Sequence, residues 1–84
     1  MSISIEADES EEIKDALEAA ADGEIAPAVL VEQLAEGVTL LVSFSSGESF
    51  RYFNVPADDA ISLLSDASGY NHLLRGNTNS ERIS

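Results

Sequence analysis

The chain has 84 residues, 16 acidic side chains against 4 basic ones, a formal net charge of −12 and no cysteine. One small domain of this size buries only about 60% of the surface its unfolded chain exposes, and without thiols neither a disulfide framework nor a cysteine-based zinc site reinforces it. The charge repels phosphate backbones and so disfavours nucleic-acid binding, while no window approaches the roughly 18 apolar residues of a membrane span.

Residues 1–7 carry no turn signal; Ile3 and Ile5 fit either a frayed end or a short edge strand, and the segment stays unassigned. Acids follow Met1-Ser2-Ile3-Ser4-Ile5 where a signal peptide would place its apolar run, so the expected location is cytoplasmic. Asp8 and Glu11 have the spacing of a capping box. Ile13, Ala16, Leu17 and Ala20 then recur at helical spacing, and Asp22-Gly23 supplies a stop, which predicts a helix over 9–21. Its stripe holds only two large residues, so weak docking or partial mobility is expected. The opposite face carries Glu11, Glu12, Asp15 and Glu18, candidates for contact with a basic protein partner. Acidity is concentrated here: residues 1–36 hold 11 acids and one base, residues 37–84 hold 5 acids and 3 bases. Three readings compete for it: a solvated face that keeps a small protein dispersed, adaptation to a high-salt cytoplasm, or a surface for a basic partner, including mimicry of a nucleic acid.

From Glu24 to Leu34 the signals conflict. Pro27 suits the first position of a helix, whereas Val29-Leu30-Val31 favours a strand. A strand over 28–34 is the reading adopted, with Leu34-Ala35-Glu36-Gly37 turning into the next segment. Val38, Leu40, Val42 and Phe44 alternate with Thr39, Leu41 and Ser43, a strand with one apolar face. The following turn is decided by register. A two-residue loop at Ser46-Gly47 sets Val42 opposite Arg51. A three-residue loop, Ser45-Ser46-Gly47 with Gly47 left-handed, sets Val42 opposite Phe50 and Leu40 opposite Tyr52, which buries more apolar surface. Arg51, Phe53 and Val55 then share the other face.

Pro56 opens a helix over 57–67 whose dipole favours Asp58 and Asp59. Ala60, Ile61, Leu64 and Ala67 make its inward stripe, with Leu63 at the margin. Ser68-Gly69 breaks it, Ser68 caps a second short helix over Tyr70–Arg75, and Gly76 closes that one. Residues 77–84 read as a loose tail. The expected fold is α+β: a three-stranded antiparallel meander near 28–54, two C-terminal helices on one face, and an acidic N-terminal helix.

Phe44 and Gly47, Phe50-Arg51-Tyr52, Val55-Pro56, Ser68-Gly69 and Tyr70-Asn71-His72-Leu73-Leu74-Arg75 follow one another in an order that resembles the KTSC domain, a module at the C-terminus of some lysyl-tRNA synthetases and in free-standing small proteins. The resemblance covers residues 28–75. It departs in having Phe50 for a tyrosine, a tighter Ala67-Ser68-Gly69 segment and an acidic extension. It implies an N-terminal extension over 1–24, a KTSC-like domain over 25–76 and a tail over 77–84. The family's association with a synthetase implies RNA binding only by analogy, and the acidity speaks against it.

Chemistry is sparse. His72 is the lone histidine, which leaves no Cys-His pair and no serine motif around it. No ligand loop of the EF-hand kind is present, so neither a metal nor a cofactor is expected. Were the hairpin and last helix to pack together, Arg51, Tyr52, Asn71 and Arg75 would form a polar patch for a phosphate, carboxylate or nucleotide. Set against this are structural roles: Tyr52 as core, Asn71 as a cap, Arg75 at a helix C-terminus. The functional expectation is a non-enzymatic binding or accessory protein of unknown partner, open to a protein partner or to weak self-association.

Overall fold

The structure, a computed structural model, describes residues 2–74 and 79–83. It is α+β. Among the described residues four strands, β1 (Ile3–Ala7), β2 (Val38–Phe44), β3 (Ser49–Val55) and β4 (Ser80–Arg82), form an antiparallel sheet in the order β1-β2-β3-β4. Helices α1 (Glu11–Ala21) and α2 (Pro27–Gln33) connect β1 to β2. Helix α3 (Ala57–Ser65), a 3-10 turn (Ala67–Gly69) and α4 (Tyr70–Leu73) follow β3.

The hairpin forms as its alternation and turn chemistry require. Leu40 pairs with Tyr52 and Val42 with Phe50. The three-residue loop returns through the Phe44 N–H donating to the Glu48 carbonyl, with Gly47 at φ +99°. Leu40, Val42 and Tyr52 are buried on one face, and Phe50 packs beside them. Val55 departs from the expected alternation. Between the pairs Leu40–Tyr52 and Val38–Val55, β3 carries one residue more than β2, and Asn54 sits at φ +54°. This bulge shifts the side-chain phase by one, so Val55 turns into the core at 0% exposure instead of joining Arg51 and Phe53. Gly37, at φ +91°, makes the close approach possible: a Cβ there would lie 2.8 Å from the Asn54 carbonyl carbon.

The sheet has one strand more than the expected three, and its strands come from different segments. β1 pairs in register with β2, Ile5 against Val42 and Ala7 against Leu40. β4 pairs Arg82 with Phe50 and Ser80 with Tyr52, so strand occupies part of the expected tail. The segment read as a strand over 28–34 is helix α2. Pro27 at its first position fixes a helical φ at no hydrogen-bond cost, and Leu30 alone reaches the core. That anchor outweighs the weak strand preference of the flanking valines.

Helix α3 is the hub, touching α1, α2, β1, β2 and the 3-10 turn. Its inward arc is wider than the expected stripe. Leu63, read as marginal, is buried at 1% exposure, while Leu64 is only half-buried. The 3-10 turn folds back over it, and a Cβ on Gly69 would stand 3.5 Å from Leu63 Cδ2. Helix α1 does not ride loosely on this hub: Leu17 is fully buried and Ala20 nearly so, and burying one leucine contributes roughly 1.5–3 kcal/mol. The expected capping box is absent. Ser10 occupies the cap position with no side-chain bond, Asp8 turns to Arg51, and Glu9 Oε1 accepts from the Thr39 N–H at 2.6 Å. The Asp8 side chain thus ties the end of β1 to β3, while its backbone N–H, donating to the Thr39 carbonyl, and the Glu9 carboxylate extend the β1–β2 ladder instead of closing the helix. α3 stops at Ser65, where the Asp66 side chain accepts from the Ser68 N–H, and Gly69 caps α4 in place of Ser68.

Candidate functional site

Where the sheet ends, β1 and β2 lie beside the 3-10 turn and α4. Ile3 and Phe44 are register partners there. With Ala67, Ser68, Tyr70 and Asn71 they line a cavity of about 330 Å³. Antiparallel pairing brings Ile3 and Phe44 to the rim on the helix-covered face. The Asp66–Ser68 bond turns the chain so that Tyr70 and Asn71 follow directly on the opposite wall.

An aromatic cluster runs from the lining rings of Phe44 and Tyr70 to Phe50 and Tyr52. The Phe44 and Tyr70 rings meet edge to face at 5.5 Å, Phe44 and Phe50 at 5.8 Å, and Tyr52 and Tyr70 at 6.0 Å. Such perpendicular contacts suit the ring quadrupoles and fix ring orientation. The Tyr52 and Tyr70 hydroxyls are 2.7 Å apart. Two hydroxyls share this one bond, so the accepting hydroxyl keeps a proton to donate elsewhere. Burial, and then the bond to Tyr70, push the Tyr52 phenol well above its ordinary range. It therefore stays neutral through the pH range in which an exposed tyrosine ionises. Hydrogen bonding from the Ser68 side chain, and then from its backbone N–H, holds the exposed Asp66 carboxyl below the usual carboxylate range.

Of the four residues expected to converge, Asn71 lines the cavity, and Tyr52 is outside the lining but bonds Tyr70, which is part of it. Arg51 lies on the opposite face of β3, as a neighbour of Tyr52 in a strand must. There its Nε donates to Asp8 Oδ2, and its Nη1 stands 3.6 Å from Glu81 Oε2. The structure therefore does not bring Arg51 together with Tyr52 and Asn71, and Arg75 lies outside the described residues, as does Gly76. Glu11, Glu12, Asp15 and Glu18 are all exposed on α1, and His72 is exposed on α4. Among the described residues, no three His, Asp or Glu side chains gather as a metal ion would require, and no helix is long and apolar enough to cross a membrane.

Sequence reasoning missed Ile3, Ala67, Ser68 and Tyr70 as cavity residues and treated Phe44 only as a hairpin signal. The aromatic character of Phe44 and Tyr70 was visible, but the pairing of β1 that sets Ile3 beside Phe44 was not. The described lining offers aromatic and aliphatic walls, one hydroxyl and one amide, and neither a cation nor a carboxylate. Compared with known proteins, the chain matches no family model, no curated protein and no solved structure.

Proposed function

We propose that this is a small non-enzymatic binding protein similar to the KTSC domain, and that its ligand is held in the cavity between the sheet end and α4. One observation carries the reading: Phe44 and the Ser68-Gly69-Tyr70-Asn71 stretch, two pieces of the motif separated in the chain, contribute Phe44, Ser68, Tyr70 and Asn71 to a single cavity. A phosphate or carboxylate finds no described cation there. An uncharged planar group finds ring walls to stack on, a hydroxyl, and an amide able to both donate and accept.

Adenosine is a suitable probe, because an asparagine amide can bond the adenine edge at two points. Added to the labelled full chain to about 10 mM, the range in which small, weak ligands are detected, it should shift the amides of Phe44, Ser68, Tyr70 and Asn71. Inorganic phosphate should not, and Asn71→Ala should abolish the response. A flat titration with adenosine, or equal shifts with phosphate, sinks the proposal.

The four exposed carboxylates of α1 favour a second reading, an acidic module that meets a basic protein. Its association should weaken steeply with added salt. Capture that is equally efficient in low and high salt would end it.

A further inference from the structure

Helix α2 is the place where the fold contradicts its own composition. Pro27, Ala28, Val29, Leu30 and Val31 make its first five residues apolar on every side, and only Glu32 and Gln33 are polar. A helix apolar all round belongs in an interior. Here only Leu30 is buried, while Val29 is 52% exposed, Val31 38% and Ile25, just before the helix, 39%. Val29 and Val31 stand about 100° to either side of Leu30 on the helical wheel, so both flanks of the anchor present branched apolar surface. Ala28 and Ala35 are exposed as well. Three of the four large apolar side chains exposed among the described residues fall in this one segment.

The rim is of one sign. Asp22, Glu24, Glu32 and Glu36 are exposed around the segment, and no Lys, Arg or His occurs between Lys14 and Arg51. A second copy would bring the same carboxylates against each other on chains of net charge −12, an arrangement like-charge repulsion opposes. An anionic surface is opposed on the same ground. We infer that the α2 segment, residues 24–36, is a docking surface for an amphipathic basic segment of another protein, whose apolar stripe covers Val29, Val31 and Ile25 while its Lys and Arg side chains meet the acidic rim. This inference is independent of the cavity ligand and locates the partner on α2, not on the outer face of α1.

The test uses the labelled full chain and three peptides: a Leu/Lys helix with an apolar stripe, a scramble of the same composition without the stripe, and the same helix with Glu for Lys. The striped basic peptide is expected to bind with a Kd in the micromolar range, about 10 μM, with shifts concentrated in residues 24–36. Val29→Ser with Val31→Ser should weaken it about tenfold or more, as the loss of two buried apolar side chains implies. Neutralising Glu11, Glu12, Asp15 and Glu18 to their amides should change it less than about threefold, the scale of exposed rim charges. Equal binding of the scramble would show that charge alone acts and would overturn the inference. So would shifts centred on α1, binding unchanged in the doubly substituted chain with its circular dichroism intact, concentration-dependent dimerisation through 24–36 without peptide, or partition of the chain through this segment onto phosphatidylcholine vesicles. Glu32→Gln with Glu36→Gln offers a second route: it should leave the fold intact and flatten the salt dependence of peptide binding, and an unchanged salt slope overturns the role of the rim.

Discussion

Helix α2 begins at a proline, α3 directly follows one, and both pack on the same core, yet they are used in opposite ways. α3 interrupts its apolar residues with Asp58, Asp59, Ser62 and Ser65, and buries Ala57, Ala60, Ile61 and Leu63. α2 is the more apolar of the two and buries only Leu30. Hydrophobic content therefore does not decide which helix the fold leans on. Pattern does: an arc of apolar positions bounded by polar ones tells the chain which side faces inward, whereas an apolar cylinder has no preferred side and is placed by a single anchor. α3 is the fold's hub, and α2 is a surface the hub holds out.

The comparison breaks most decisively at Leu63. Replacing this fully enclosed side chain with alanine should cost about 2–5 kcal/mol, the range for buried leucines whose sites cannot collapse. In a domain with so little core this should leave much of the chain unfolded in dilute buffer. Urea denaturation followed by circular dichroism measures it. A loss under about 1 kcal/mol would mean that the 3-10 turn does not seal α3 as described, and the contrast with α2 would go with it.

How far this contrast could be read beforehand differs along the chain. Residues 38–55 were legible down to register, because period-two alternation and a glycine requiring positive φ constrain each other; the bulge at Asn54 was not, since an extra residue in a strand leaves no local signature. The start of α3 was legible from Pro56 and the burial of Ala60 and Ile61 from their spacing, but the burial of Leu63 was not, because it is enclosed by a turn that arrives later in the chain. β4 is three polar residues held by ladder bonds, which composition cannot announce. α2 was misread because β-branched side chains speak for a strand only when a neighbouring strand receives them. At the candidate site, Asn71 lines the cavity, whereas Tyr52 joins it only through its bond to Tyr70, a link no local signal announced. Arg51 could not join them once Tyr52 was assigned to the core, because adjacent strand residues point to opposite faces.

Alkali gives a smaller effect that sharpens the comparison from the core side. The Tyr52 phenol is raised by burial and by its bond to Tyr70, so the unfolded chain releases this proton at a lower pH than the folded one. By linkage the contribution is fully present below about pH 10, the ordinary tyrosine value, and is lost as pH rises towards the folded value. Stability should therefore fall above about pH 10, with tyrosinate absorbance and loss of circular dichroism appearing together. Tyr52→Phe should remove most of that alkaline loss while costing about 1 kcal/mol at neutral pH for the missing hydroxyl bond. Tyrosinate absorbance from Tyr52 at its ordinary pH, with the fold intact, would contradict its burial and detach the aromatic cluster from the core that α3 covers.

The smallest effect is expected on α2 itself and tests the contrast from its other side. Val29 and Val31 are exposed at 52% and 38%, and serine has nearly the helix propensity of valine, so replacing both removes apolar surface without a confounding change in backbone preference. If the fold does not lean on these side chains, the double substitution should change unfolding free energy by no more than about 0.5 kcal/mol, as surface replacements away from special features do. Leu30→Ala, one residue away from each, should cost several times more, because it removes the only side chain that ties α2 to the core. A pair of serines as costly as that alanine would mean that the valines are packed in solution, and that α2 is part of the interior its composition calls for.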